Sequence, residues 1–413
     1  MKFQSRNRRR NLGKSAFEEV RFSHRRRSFL QYSFMGLGAF VSNSLLFPKS
    51  VYSETSLSSL QSLSTISDLL PPDENGVRLP KGFSSRIVAR SGQNYFGYDW
   101  HPAPDGGATF ATNNGGWIYV SNNELDKGKG GVGSLRFDKD GKLVNAYPIL
   151  NNTSRNCAGG HTPWGTWLSC EEIKKGQVWE CDPYGEKDPI LRSALGSFTH
   201  EAVAVDTNTM QLYLTEDKPK GCLYRYTSNT TDTSGYPDLD DGILEVAEII
   251  NGHEGKLRWH LIPDPQAKDK PTRKQVKLSA HFNGGEGIWF HQGNIFFTTK
   301  GDDRVYAYDI KNNHLSIIYN AALYITPVLT GVDNITSNAL GELLVAEDGG
   351  DLHIVVITKS GETKPLLQLI GHDRSEITGP AFTPDGSRLY FSSQRGTTGR
   401  SEDGVTFEIS GHF

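Results

Sequence analysis

Leu212-Tyr-Leu-Thr215, a polar break, then Gly221-Cys-Leu-Tyr-Arg-Tyr226: two short aromatic and apolar runs around a glycine-bearing break read as neighbouring β-strands. The phrase recurs in both directions. Upstream it is Thr166-Trp-Leu-Ser169 with Gly176-Gln-Val-Trp-Glu-Cys-Asp182, and Trp117-Ile-Tyr-Val120 with Gly133-Ser-Leu-Arg-Phe-Asp138. Downstream it is Ile295-Phe-Phe-Thr298 with Arg304-Val-Tyr-Ala-Tyr-Asp309, Leu343-Leu-Val-Ala346 with Asp351-Leu-His-Ile-Val-Val356, and Leu389-Tyr-Phe-Ser392 with Val405-Thr-Phe-Glu-Ile409. Successive copies start 49, 46, 83, 48 and 46 residues apart, close to the length of one four-stranded propeller blade. The expected fold is therefore all-β, a six-bladed β-propeller over residues 79–413 with a central channel. The one long spacing contains residues 228–275, rich in Asp, Pro, Lys and Thr, which reads as an insertion between strands.

Composition agrees with one large closed architecture. The 413 residues include 44 glycines, 10% aromatic and 22% charged side chains, which excludes collagen, coiled coil and wholesale disorder. The net charge of −3 hides a segregation: residues 1–27 carry ten Lys and Arg against two acids, so the rest of the chain stands at −11. An acidic body argues against nucleic acid as a partner and suits carboxylates that bind cations.

The basic head ends at Arg26-Arg27-Ser28-Phe29-Leu30 and is followed by an uncharged run to Pro48, a pattern that resembles a twin-arginine export signal over residues 1–50. Polar residues such as Gln31, Ser42 and Asn43 make this run a poor permanent membrane span, so membrane contact is expected only through the signal. Residues 51–78, with repeated Ser-Leu and then Pro71-Pro72, read as a low-order linker. The expected location is periplasmic or extracellular, with the twin-arginine export machinery as a partner and a monomer as the working state.

In a propeller the innermost strands converge on the channel, so polar side chains at matching places in different blades meet there. Inner-strand candidates are Thr199-His-Glu-Ala-Val-Ala-Val-Asp206, Gly285-Glu-Gly-Ile-Trp-Phe290, Gly331-Val-Asp-Asn-Ile335 and Ser375-Glu-Ile-Thr-Gly-Pro-Ala-Phe382. They bring Glu201, Glu286, Asp333 and Glu376 together. Clustered carboxylates repel unless cations neutralise them, which implies a multi-metal centre. Asn122 with Glu124, Glu171 with Glu172 and Glu216 with Asp217 are further polar places for the channel, although Glu216-Asp217 and Glu347-Asp348 follow strands and also read as solvated turns. Cys170, Cys181 and Cys222 have no metal spacing and read as core residues or, after export, as a disulfide pair and an odd thiol.

The run Asn156-Cys-Ala-Gly-Gly-His-Thr-Pro-Trp-Gly-Thr-Trp-Leu-Ser-Cys-Glu-Glu172 resembles the signature of the PhoX-type alkaline phosphatase family. Ser121-Asn-Asn-Glu124, His200-Glu201-Ala202, Glu286-Gly287, Asp333-Asn334 and Gln394-Arg-Gly396 add to the resemblance. It implies a six-bladed propeller whose channel holds a mixed cluster of calcium (Ca2+) and iron (Fe3+) and hydrolyses small-molecule phosphate monoesters outside the cytoplasm. By ligand type Glu172, Glu201, Glu286 and Asp333 suit calcium, Glu376 is a further carboxylate candidate, and the Cys157 thiolate suits iron. Adjacent strand residues face opposite ways, so only one of Glu171 and Glu172 reaches the channel; the motif favours Glu172. Asn122 is expected to donate a hydrogen bond to phosphate, with Lys300 as a second catalytic candidate. Larger members of the family carry an arginine just before the position of Glu286, where this chain has Gly284-Gly285. That departure keeps a lactonase-like calcium-dependent hydrolase, or a non-catalytic binding propeller, as alternatives.

Overall fold

The computed structural model describes residues 61–250 and 252–413. The twin-arginine segment lies outside the described residues. Within them the chain is all-β apart from short 3-10 turns, and no helix is long and apolar enough to cross a membrane.

The strands form consecutive four-stranded antiparallel units. The first is Pro104–Ala111, Trp117–Asn123, Gly130–Phe137 and Leu143–Thr153; the second is Asn156–His161, Trp167–Glu171, Val178–Cys181 and Ile190–Leu191. The third is His200–Val205, Leu212–Glu216, Leu223–Ser228 and Gly242–Ile249; the fourth is Gly285–His291, Asn294–Thr299, Arg304–Asp309 and His314–Asn320. The fifth is Val332–Ser337, Leu343–Glu347, His353–Ile357 and Thr363–Leu369. In the last unit Ile377–Phe382, Arg388–Ser393 and Val405–Ser410 are completed by Ser84–Arg90 from the other end of the chain. Each unit's first strand touches those of the two flanking units, so the first strands close into a ring around the channel. Each repeated phrase of the sequence supplies the second and third strands of its unit.

An apolar cluster fills the space between each pair of neighbouring units. Leu344, Ile354 and Leu367 meet Ile377, Phe391 and Phe407 between the fifth unit and the last, while Trp117, Tyr119 and Phe137 meet Ala381 and Tyr390 across the closure. The cluster across the closure is mainly aromatic, large rigid rings filling the gap between two twisted sheets, whereas the cluster between the fifth unit and the last is mainly aliphatic.

Two expectations need correction. Residues 228–275 are not a plain insertion: they supply Gly242–Ile249, the outer strand of the third unit, and Gly255–Leu261, which pairs onward to His314–Asn320. The described part of the expected linker is packed rather than loose. Leu63 and Val77 are buried, Val77–Arg78 pairs with Thr363–Leu369, and Glu342 accepts from Ser62 Oγ at 2.5 Å and Leu63 N at 2.8 Å. The segment's buried side chains are Leu63, Ile66 and Val77, while Leu70 is exposed.

Candidate metal centre

The channel side chains are placed by a repeated irregularity. The pairing of first and second strands slips in every unit, between Pro104 and Gly107, His200 and Val203, Gly285 and Ile288, Val332 and Ile335, and Thr378 and Ala381, with the matching slip in the second unit between Ser169 and Glu171. Such bulges re-aim a side chain out of the regular pleat. The residue in second place on each of the first five inner strands is Asp105, Cys157, Glu201, Glu286 and Asp333. In the last unit that place holds Thr378, and Glu376 just before the strand supplies the carboxylate. The residue after two of these positions is glycine for lack of room: a Cβ on Gly106 would lie 2.5 Å from Ala158 Cα, and one on Gly287 2.8 Å from Asn334 Cα.

A second tier of side chains crowns the first. In every unit the residue following the second strand donates its N–H to the carbonyl just before the first strand: Glu124 to Ala103, Glu172 to Arg155, Asp217 to Thr199, Lys300 to Gly284, Asp348 to Gly331 and Gln394 to Glu376, all at 2.8–3.2 Å. This hydrogen bond fixes the rim, which carries four acids, one lysine and one glutamine. Backbone carbonyls of the lower tier are gripped by the preceding unit: Asn122 Nδ2 donates to Cys157 O at 3.0 Å, Thr215 Oγ1 to Glu286 O at 2.6 Å and Thr298 Oγ1 to Asp333 O at 2.5 Å.

Three groups bring possible ligand atoms within 4.8 Å of one another: Glu124, Cys157 and Glu172; Glu201, Glu286 and Asp333; and Asp333, Asp348 and Glu376. All the sequence-derived metal candidates, Cys157, Glu172, Glu201, Glu286, Asp333 and Glu376, fall in these groups. Three cations of the chain share the space. Arg155 bridges Glu124 at 2.6 Å and Glu172 at 2.5 Å, Arg395 pairs with Glu376 at 2.6 Å, and Lys300 Nζ lies 3.3 Å from Glu286, 3.4 Å from Asp333 and 2.9 Å from Asp348. They are too few for the carboxylates. Burial, reinforced by neighbouring acids, holds Asp105, Glu201, Glu286 and Glu376 well above the ordinary carboxylate range. Burial likewise pushes Glu172 up to about 7 and Asp333 to about 6, with Arg155 and Lys300 opposing the rise. For Lys300 burial works against the charge, but Asp333, Glu286 and Asp348 together raise it above an ordinary lysine. The Cys157 thiol, 3.6 Å from Asp105 Oδ2, is raised by burial and then by the surrounding acids, so it becomes a thiolate only beside a strong cation. Glu201 Oε1 is buried with no hydrogen-bond partner, and Glu286 Oε1 has only the imperfectly oriented Lys300. Orphaned anionic oxygens beside a thiol and further carboxylates are a donor set that fits cations.

The structure redistributes several roles. Asn122 is buried, and its amide is fully used: Nδ2 donates to Cys157 O and Ala158 O at 3.0 and 2.8 Å, and Oδ1 accepts from Trp167 Nε1 and Ser169 Oγ, both at 2.9 Å. Nothing remains to donate to phosphate, so Asn122 holds the wall that carries Cys157. Asp217, which read as a channel candidate or a solvated turn, and Asp348, which read as a solvated turn, both stand on the rim, while the glutamate before each braces a loop. Glu216 accepts from Tyr224 at 2.8 Å and Arg273 at 2.7 Å, and Glu347 from the amides of Thr330 and His353 at 2.8 and 2.9 Å. Glu171 is spent similarly on Ser154 N at 3.0 Å, leaving Glu172 to the channel. Asp105 was missed because Pro104-Asp105-Gly106 carries the residues of a turn. Gly284 has φ +71°, so a side chain there would be strained, and positive charge enters through Lys300, whose amide is bonded to the Gly284 carbonyl. The four cysteines are unpaired, and Cys170, Cys181 and Cys222 are core residues.

A family model described as alkaline phosphatase PhoX matches residues 129–179 and 173–396, well over half of the chain. The chain belongs to the PhoX alkaline phosphatase family. It is an enzyme of phosphatase type, and the channel residues from Cys157 to Gln394 lie within the matched region, with Asp105 and Glu124 just ahead of it. Among solved structures, the fold resembles PhoX of Pseudomonas fluorescens, captured with vanadate as a transition-state analogue, at a TM-score of 0.69 and 16% identity over 84% of this chain and 98% of that one. A Bacteroides thetaiotaomicron protein of unknown function superposes at TM-score 0.50 with 10% identity over 83% of each chain. These identities speak for the fold alone. Among curated proteins no sequence matches.

Proposed function

We propose that this PhoX-family chain hydrolyses phosphate monoesters at a centre of calcium and iron ions held in the channel. The observation that carries this is the tier of buried acids Asp105, Glu201, Glu286 and Asp333 beside the Cys157 thiol, whose full ionisation the nearby Arg155, Lys300 and Arg395 cannot balance. Glu124, Cys157 and Glu172 would hold iron, because theirs is the one group with a sulfur ligand among the described residues. The all-oxygen groups around Asp333 would hold calcium. When bound, such ions draw negative charge off the transferring phosphoryl group. The vanadate in the Pseudomonas fluorescens structure, read across to this chain, supports a site built for that transition state.

The remaining work falls to the chain itself. The side chains of Arg155, Lys300 and Arg395 are each between a third and two fifths exposed, so they face whatever enters the channel, and a guanidinium fork keeps donors beyond those used on carboxylates. They would orient the phosphate oxygens. The closed ring of first strands keeps bulk water from the lower tier, strengthening every charge interaction there. We further propose export through the twin-arginine machinery and action outside the cytoplasm, on the strength of Arg26-Arg27 and the uncharged run behind it.

The test is release of p-nitrophenol from p-nitrophenyl phosphate by the purified protein, before chelation, after chelation, and after refilling with calcium and iron. Turnover lost and then restored is the expected result. No turnover by fully refilled protein would overturn the assignment.

A further inference from the structure

A cavity of about 480 Å³ opens beside the channel rather than in it. Lys218, Lys220, Arg273, Lys274, Lys277 and His281 line it, and no carboxylate does. Of these cations only Arg273 has an acidic partner, the buried Glu216 at 2.7 Å; the four lysines make no ion pair among the described residues. Five like charges around one hollow, in a body whose net charge is −11 beyond residue 27, create a local field opposite in sign to the rest of the surface.

Both walls are anchored. Lys218 directly follows Asp217 of the rim, and its carbonyl accepts from Gly284 N at 2.9 Å, two residues from Glu286. The opposite wall is pinned by Ala280 N to Ala247 O at 2.7 Å and Phe282 N to Gly221 O at 2.8 Å. The cavity and the channel therefore share the strand ends around Asp217 and Gly284. A molecule long enough to extend from the channel past these strand ends would meet the basic lining with its next anionic group.

We propose that this basic cavity is a subsite for a second phosphate, so that the preferred substrates are phosphomonoesters carrying more than one phosphate group. The inference rests on the phosphatase assignment above and narrows its substrate class. Lysine ammoniums act there as point charges for phosphate oxygens, and Arg273, bonded to Glu216 through Nη1, offers its remaining N–H groups.

The test has two arms on the metal-loaded enzyme. In the first, kcat/KM is measured for inositol hexakisphosphate and for p-nitrophenyl phosphate, in the native protein and in the triple variant Lys220→Ala, Lys274→Ala, Lys277→Ala. Loss of three screened charge contacts should lower the ratio of the two values about tenfold or more. An unchanged ratio overturns the subsite. In the second arm, calorimetry follows binding of inositol hexasulfate, a polyanion with no phosphoester to cleave. Binding by the native protein that weakens about tenfold in the triple variant, and falls with added salt, is expected. Equal binding by both proteins, or by neither, overturns the proposal. The two assignments fail separately: absence of p-nitrophenyl phosphate turnover removes the phosphatase chemistry, whereas turnover without inositol hexasulfate binding removes only the subsite. The three lysines are largely exposed, and a matching melting temperature confirms that the variant is folded.

Discussion

Lys300 and Asp348 occupy the same place on adjoining units, the residue after the second strand, and their side chains meet at 2.9 Å. The rim thus carries one built-in cation where its neighbours on both sides are acids. In metal-free protein that ammonium also offsets Glu286 and Asp333. Lys300→Met should therefore destabilise the chelated protein by roughly 1–3 kcal/mol, less than the loss of a fully buried partner because 35% of the side chain is exposed. Metal-loaded protein should lose less, since bound ions supply the charge. Melting curves of both forms check this, and equal losses would contradict it.

The raised carboxyls make stability depend on pH in a definite direction. Folded, metal-free protein keeps protons on Glu172 up to about pH 7 and on Asp333 up to about pH 6, whereas the unfolded chain releases them near ordinary values of about 4. Between those limits the folded state binds more protons, so unfolding free energy falls as pH rises. The contribution is fully present below about pH 4 and is lost as pH passes through the folded values. Calorimetry of chelated protein from pH 5 to 8 should give a falling melting temperature, and metal-loaded protein a flatter line. A rising line for the chelated form would refute the electrostatic account.

Asn122→Leu tests whether this amide is wall or catalyst. The substitution leaves two carbonyls and two donors without partners in a buried place, which should cost roughly 3–5 kcal/mol in urea unfolding. A catalytic asparagine with a free amide would instead lower kcat and leave stability nearly intact.

Most of the lower tier was legible because its residues sit in strands with a clear apolar pattern around them: Glu201 in His-Glu-Ala-Val-Ala-Val and Glu286 in Gly-Glu-Gly-Ile-Trp-Phe break an otherwise hydrophobic run, and a buried acid in such a run needs a reason. The rim was legible only in part: Glu172 and Lys300 stood out, Asp217 and Asp348 did not. Glu216-Asp217 and Glu347-Asp348 look like ordinary solvated strand ends, and only the bond from the second residue's amide to the first strand separates the loop brace from the channel acid. Aligning the repeats would have given a signal, since Glu124, Glu172, Asp217, Lys300 and Asp348 all follow the second strand directly. Asn122 misled because a motif identifies a residue but not how many of its hydrogen bonds are already spent. The outer strands within 228–275 carried a signal, since Ile243-Leu-Glu-Val-Ala-Glu-Ile249 is largely apolar and Lys256-Leu-Arg-Trp-His-Leu261 alternates polar with apolar, but the Asp-, Pro-, Lys- and Thr-rich stretches on either side masked it.

Arg26→Lys with Arg27→Lys should trap the protein in the cytoplasm if the basic head is read by the twin-arginine machinery. Fractionation of cells producing the native and variant chains checks this. Normal export of the variant would eliminate that route.

The central claim, that the buried acids and the thiol form a metal centre, is tested most directly by counting iron and calcium per chain in native protein and in Cys157→Ser. A hydroxyl is a harder and far less acidic ligand than a thiol, so the variant should lose iron and any thiolate-to-iron absorption while keeping the calcium held by the carboxylates around Asp333. Native protein without bound metal, or a variant that retains all its iron, would contradict the account.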